Sequence, residues 1–479
     1  MTTLLHCEPS RMSAGRAPFR TLLVAAAISI ACAMPALPAR AHAPQDDGSD
    51  PHVRASAPRS LTIERIEFAG LTRTRVEVAE RAAALTLPAP ASVDGIAAAT
   101  ARLRASGLFR TVEARTRPGS EPGALVLVFD VQENKPHLRF GVGYEDFSSW
   151  YLMPAQLNAD NLTGHGGALR LSARVGYRVA GVDLALRSTA DPVARDFWEV
   201  RLRSESLDRI YYLDSTETRH HLQLGGADLR VGRALGRTLA MEAWVAAETA
   251  RPDSNATVYE DRASLGRDKG DEVPYESLPA ALQRDVRERE QGRLGLALVL
   301  DRRSGSGLAM HGAWARVSAE GAYSKLGDYA TWQADARGYA ALSPQVQFAA
   351  RLRAGAVSAE APFYERFYVG GLYTVRGYPS QSLSPPQGTL NLGAASFELR
   401  HVWVGTAEQP RVTAIAFLDG ATGWNRAAPS TRDISWGAGV GLRVRVPWFG
   451  QIGLDGARPL SRSPVPEAFH LNGSLGWAF

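Results

Sequence analysis

Side chains able to do covalent or metal chemistry are few in this sequence, and their spacing argues against most of it. Ser304, Ser306 and His311 form one serine–histidine cluster, and a hydrolase uses these residue types as nucleophile and general base. The two serines, however, belong to Ser304-Gly305-Ser306-Gly307, and such small polar residues are what a tight turn requires. No serine has glycine both two positions before and two positions after it, so the strained elbow that exposes a hydrolase nucleophile is missing. His220-His221 and the scattered carboxylates lack metal-ligand spacing, and the histidines read as surface-loop residues. No enzymatic activity, cofactor or metal is expected. The formal charge of +5 has no run of Lys or Arg behind it, which excludes nucleic acid as a partner.

The elements that must position any site begin with an export signal. Arg11, Arg16 and Arg20 precede an apolar run from Leu22 to Met34, then Pro35, Pro38 and small residues. That is the pattern of a secretory signal peptide, too short in its apolar part to span a bilayer. Cleavage is expected after Ala41 or Ala43, so residues 1–43 form the signal peptide and 44–59, rich in Pro, Asp, Gly and Ser, a linker. Cys7 and Cys32 both fall in the removed segment, which leaves the exported chain no disulfide and no thiolate.

Residues 60–135 read as a small α+β domain. A strand from Leu61 to Phe68 is followed by helices around Arg75 to Leu85 and Ser92 to Ser106, then strands Phe109 to Thr116 and Ala124 to Val131 around a Pro/Gly turn. From 136 to 479 the texture changes to short alternating runs. Trp198, Val200 and Leu202 oppose Glu199, Arg201 and Arg203; Leu294, Leu296 and Leu298 oppose Arg293, Gly295 and Ala297; Trp332, Ala334 and Ala336 oppose Gln333, Asp335 and Arg337. A soluble sandwich alternates too. The export signal and an alternating chain end that stops on Phe479 favour a transmembrane β-barrel, and the runs count to sixteen, an even number as in bacterial single-chain barrels, whose closure satisfies every backbone group within the lipid. Short connections such as Asn161 to Gly164 and Pro447 to Gly450 are assigned to the periplasm, and the long ones, about Arg251 to Glu288 and Ala361 to Thr389, to the outside.

The small domain resembles a polypeptide-transport-associated (POTRA) domain on two segments, Ile63 to Gly70 and Leu103 to Val112, where Gly107 would end the second helix. The barrel resembles the bacterial surface antigen family, which includes the BamA-like and TamA-like assembly factors and the two-partner-secretion transporters. The match is most specific at Val375-Arg376-Gly377-Tyr378, similar to a loop that in this family folds back into the lumen. The resemblance implies that Arg376 meets Glu398 on the twelfth strand and Asp419 on the thirteenth. Parity agrees: with Phe397, Leu399, Ala416 and Leu418 facing lipid, Glu398 and Asp419 point inward. A guanidinium suits two carboxylates because it presents five fixed donors and stays charged. Leu475, Trp477 and Phe479 resemble the assembly signal that ends outer-membrane barrels. The barrel is also similar to that of patatin-fused proteins, without the patatin domain.

The resemblance implies an outer-membrane location with the small domain in the periplasm. It implies a role in inserting polypeptides into that membrane or passing them across it. Expected partners are outer-membrane lipid and lipopolysaccharide, unfolded periplasmic clients and a periplasmic accessory protein bound through the small domain. Its exposed edge, Phe109 to Thr116, would take a client strand, and the seam between His137–Glu145 and the final strand would open. A single docking domain implies a specialised role. A passive structural or adhesive barrel, descended from a patatin-fused ancestor, is the alternative, and a barrel hydrolase the remote one.

Overall fold

The computed structural model describes residues 61–145, 149–176, 179–191, 194–258, 270–426, 429–446, 450–462 and 470–475. The signal peptide, the whole linker, both cysteines, the turn residues 447–449, Trp477 and Phe479 lie outside the described residues.

The first unit contains β1 (Thr62–Ala69), α1 (Val76–Ala83), β2 (Ala89–Pro90), α2 (Val93–Ala105), β3 (Phe109–Pro118) and β4 (Ala124–Glu133). Its sheet runs in the order β2-β1-β4-β3, with β1 parallel to β4 and the other pairs antiparallel. The two-residue β2 is too short to show periodicity in the sequence and ends on Pro90, so no strand is legible there. Ser92 caps α2 by accepting from the Gly95 N–H at 3.0 Å, and Gly107, at φ +74°, takes the left-handed turn beyond the helix end. Both helices pack one face on the sheet around Ile63, Leu103 and Phe129, all buried. Complete burial of a side chain of this size contributes roughly 1.5–3 kcal/mol.

The second unit is one large antiparallel sheet. Its strands are β5 (His137–Glu145), β6 (Ser149–Asp160), β7 (Ala168–Gly176), β8 (Val179–Arg187), β9 (Phe197–Leu213), β10 (Thr216–Ala234), β11 (Leu239–Pro252), the short β12 (Ala256–Val258) and β13 (Glu272–Val273), β14 (Arg289–Asp301), β15 (Gly312–Ser324), β16 (Tyr329–Ser343), β17 (Val346–Val357), β18 (Asn391–Gly405), β19 (Pro410–Trp424), β20 (Ser435–Val446), β21 (Gly450–Pro459) and β22 (His470–Leu475). Long strands pair with their sequence neighbours, and β11 pairs directly with β14. The strand order sets β22 beside β5. The segment between β11 and β14, a long connection in the sequence, carries β12, β13 and a one-turn helix, α3 (Ala280–Gln283).

Alternation fixes what each face meets. Leu202, Leu294, Leu296 and Leu298 are all more than half exposed, while Arg201 and Arg293 on the other face are engaged by carboxylates. Because side chains repeat every two residues, any one-residue slip would put guanidinium groups in lipid. Among the described residues, no helix is long and apolar enough to cross a membrane.

The two units meet through a polar joint. The Glu133 carboxylate accepts from the backbone N–H of Thr72, Arg73 and Thr74 and from the Thr72 hydroxyl, at 2.6–3.2 Å. Thr74 Oγ1 then accepts from Asn161 Nδ2 at 2.7 Å, and the Arg75 N–H donates to the Gly164 carbonyl at 3.1 Å. Burial alone would raise the Glu133 pKa, but the hydrogen bonds from Thr72, Thr74 and the loop backbone outweigh it and hold the carboxyl down at about 2.

Candidate functional site

Between β17 and β18 the chain leaves the sheet for a long connection that turns back against the inner face of the wall. The tip is shaped by Gly370 and Gly371, both at positive φ, which lead into Val375-Arg376-Gly377-Tyr378. Three of these four are essentially inaccessible: Val375 and Tyr378 are 0% exposed and Arg376 1%. Gly377 is at φ +98°, and a Cβ there would stand 2.8 Å from the Arg458 carbonyl carbon on β21. Opposite it, a Cβ on Gly437 of β20 would lie 2.0 Å from the Arg376 carbonyl oxygen. Loop and wall therefore touch backbone to backbone, and two glycines permit it. The Tyr378 hydroxyl donates to the Trp436 carbonyl at 2.9 Å and accepts from the Ser461 N–H at 3.1 Å.

This docking delivers Arg376 into a cluster of charges. Its Nε and Nη2 donate to Asp419 at 2.7 and 2.9 Å, a two-pronged contact, and its backbone N–H donates to the same carboxylate at 3.1 Å. Nη1 lies 2.9 Å from Glu398 and 3.3 Å from Asp455. Ser396 on β18 adds its hydroxyl, 3.3 Å from Nη2 and 2.5 Å from Asp419. The guanidinium also lies over the Phe417 ring at 3.5 Å from its centre. The carboxylates have further partners: Arg400 contacts Glu398 at 2.8 Å and Arg443 contacts Asp455 at 2.6 Å. Glu398, Asp419 and Asp455 thus face Arg376, Arg400 and Arg443. The cluster is neutral as a whole, as burial of so many charges demands.

A second attachment holds the stem of the same connection on another part of the wall. Glu365 pairs with Arg293 on β14, and Arg293 also reaches Glu248 and Glu320, each at 2.8 Å. The Phe363 N–H donates to Asp285 at 2.9 Å, and Arg209 Nη2 donates to the Tyr364 carbonyl at 2.6 Å. With its stem against β14 and its tip against β18–β21, the connection is a strut between separate parts of the sheet.

The structure brings Arg376, Glu398 and Asp419 together with Val375, Gly377 and Tyr378. Asp455, Arg443, Ser396 and Phe417 were missed. Asp455 had a signal: Gly453-Leu454-Asp455-Gly456 nearly repeats Leu418-Asp419-Gly420, with outward Ile452 and Leu454 turning the aspartate inward by parity. Leu475 closes the last described strand. Ser304 and His311 are joined by backbone hydrogen bonds of 2.9 Å as a turn closure. The two adjacent histidines separate: His220 is buried, with Nε2 2.6 Å from the Asp253 carbonyl, and His221 turns to the outer face. Among the described residues no group of three or more His, Cys, Asp or Glu is arranged to hold a metal.

An antiparallel wall with apolar residues outside and charges inside defines a bacterial outer-membrane β-barrel protein. The chain belongs to the Omp85 superfamily, whose domain matches residues 161–479. It is 30% identical over 116 residues to the outer membrane protein assembly factor BamA of Nitratidesulfovibrio vulgaris, a stretch covering 22% of this chain and 14% of that protein. In fold it is similar to BamA from Haemophilus ducreyi lacking POTRA domains 1-3, with TM-score 0.62, 17% identity and coverage of 86% of this chain and 84% of that one. It is also similar to CdiB from Acinetobacter baumannii, with TM-score 0.57, 13% identity and coverage of 87% and 73%. At such identities the likeness to the solved structures is one of fold.

Proposed function

We propose that the large sheet works as a sixteen-stranded barrel closed by β22 against β5, and that it inserts polypeptides into the outer membrane or passes them across it. The small domain serves as a POTRA-type docking module in the periplasm, and the Val375–Tyr378 loop as an internal lid. The observation that carries this reading is the buried, charge-balanced seat of Arg376. A purely passive wall has no need of a loop fastened at both stem and tip, whereas a transporter must hold its conduit shut and release it on demand. A buried ion cluster suits that task, since it fixes position without adding much net stability.

Clients dock by strand addition on β3. It is the last strand in the order of its four-stranded sheet, and from Glu113 onward its side chains are exposed. The experiment places a photo-cross-linking side chain at Arg115 on that edge, in the full chain expressed in cells. Capture of unfolded exported polypeptides, lost when β3 carries Glu113→Pro, is the expected result. Irradiated cells that yield only uncross-linked protein would remove the docking role.

A further inference from the structure

β9 and β10 are 17 and 19 residues long, whereas about 9–11 residues cross the hydrocarbon layer. Their hairpin therefore projects beyond the membrane on the side of the long connections. On the outer face Trp198, Val200 and Leu202 continue along β9 into Ser204, Ser206 and Asp208. Leu229 continues along β10 through Gly225 and Gln223 to His221. The register is unbroken, with Ser206 opposite Gln223 and Asp208 opposite His221. Ser206 thus lies four positions, about 13 Å of strand, above Leu202.

At this level the His221 ring bridges two neighbours. Nδ1 is 2.9 Å from Asp208 Oδ1, and Nε2 is 3.2 Å from Ser206 Oγ. A carboxylate beside Nδ1 accepts a hydrogen bond from Nδ1–H, which keeps the ring proton on that nitrogen and leaves the Nε2 lone pair aimed at the hydroxyl, the tautomer a serine nucleophile requires. The serine opens on a groove of about 910 Å³ in the outer wall, with Ser204, Gly225, Ala247 and Gly292 among its lining residues. A Cβ on Gly292 would meet nothing within 4 Å, and one on Gly225 only a carbonyl oxygen at 3.8 Å. The groove also takes in Gln223 and Arg251, the latter held by Glu288 at 2.6 Å.

We propose that Ser206, His221 and Asp208 form an esterase site on the outer face of the barrel, taking the acyl ester of a membrane lipid whose chain lies in the groove. A chain packed on Leu202 and Leu229 rises along the small residues and brings its ester to the serine. Ser206 Oγ attacks the carbonyl carbon and its proton passes to His221 Nε2, while the carbonyl electron pair moves to oxygen beside the Gln223 amide and Arg251. As the pair returns, the bond to the alcohol oxygen breaks, and the alcohol leaves with the proton from Nε2. Water then attacks acyl-Ser206 and gives a proton to Nε2. The acyl–Oγ bond breaks, Oγ regains the proton, and the fatty acid departs. Ser206 and His221 are catalytic residues, and Asp208 is a positioning residue acting through His221.

The test uses the full chain folded in vesicles of diacyl phosphatidylethanolamine, with and without lipopolysaccharide, and heat-shifted gel mobility as the check of folding. Free fatty acid is measured alongside labelling by a fluorophosphonate, which marks activated serines. Wild type is expected to label on Ser206 and release fatty acid, and the vesicle composition that supports release identifies the lipid. Ser206→Ala abolishes both, while Ser304→Ala changes neither. Asp208→Asn lowers kcat by about 10³–10⁴-fold with KM little changed, the signature of a misdirected tautomer. Gly225→Leu, which fills the groove, lowers hydrolysis of the diacyl lipid at least tenfold more than that of a soluble short-chain ester. Folded wild type that neither labels nor releases fatty acid from either vesicle would overturn the proposal, as would release that survives Ser206→Ala.

Discussion

The charge cluster inside β18–β21 and the trio outside β9–β10 are positioned by the same device, the two-residue alternation of a strand, yet their chemistry is opposite. Inside, Arg376 has three carboxylates, a hydroxyl and an aromatic face, and the carboxylates have further arginines. Outside, His221 has one partner on each nitrogen, and Ser206 lines an open groove. A network closed on itself in a dry place can only hold position. One left open on one side has a group to spare for a substrate.

The comparison breaks most readily at Arg376. Without it, Glu398, Asp419 and Asp455 face only Arg400 and Arg443, and stranding a buried charge costs about 3–5 kcal/mol. Arg376→Ala is expected to reach the membrane at wild-type abundance, to lower the unfolding temperature and to lose at least nine-tenths of client handling. Wild-type activity at that abundance would remove the lid role. Next comes the difference between two acids of the cluster. Asp419 takes two prongs of the guanidinium and the loop backbone, whereas Asp455 is bound mainly to Arg443. Limited proteolysis should therefore cut residues 358–390 readily in Asp419→Asn and much less in Asp455→Asn; equal cutting would mean that Asp419 is no special anchor.

Glu133 is the intermediate case, a closed network at a wet joint. Its folded pKa, about 2, lies below the ordinary carboxyl value of 4.5. Its contribution is therefore complete above pH 4.5 and is lost as the pH falls from there toward 2. Hydrogen exchange at residues 161–167 should accelerate over that window in wild type and be fast throughout in Glu133→Gln; a flat profile would detach Glu133 from the joint. The smallest effect on stability belongs to Ser206→Ala, within about 0.5 kcal/mol by denaturant unfolding, because an outward hydroxyl supports no packing. A larger loss would make the outer trio structural.

Much of this was legible because alternation is written one residue at a time. Leu294 to Leu298 declared a lipid face, and Phe397, Leu399 and Leu418 turned Glu398 and Asp419 inward before any contact was known. Gly107 marked the end of α2 by its type alone. The trio was not legible: Ser206 and Asp208 stand well before His221 in the chain, and the adjacent His220-His221 looked like a surface pair. Only the register of β9 against β10 separates them, burying His220 and aiming His221 at Asp208.

The sequence by itself determined the faces of the wall, the turn-forming glycines and the residue types inside, because parity and backbone permission are local properties. Which charges meet was decided by tertiary structure. Arg376 reaches Asp419 and Asp455 across 43 and 79 positions, and such pairings depend on the fold of the connection and the stagger of neighbouring strands. Neither is carried by any short stretch of chain.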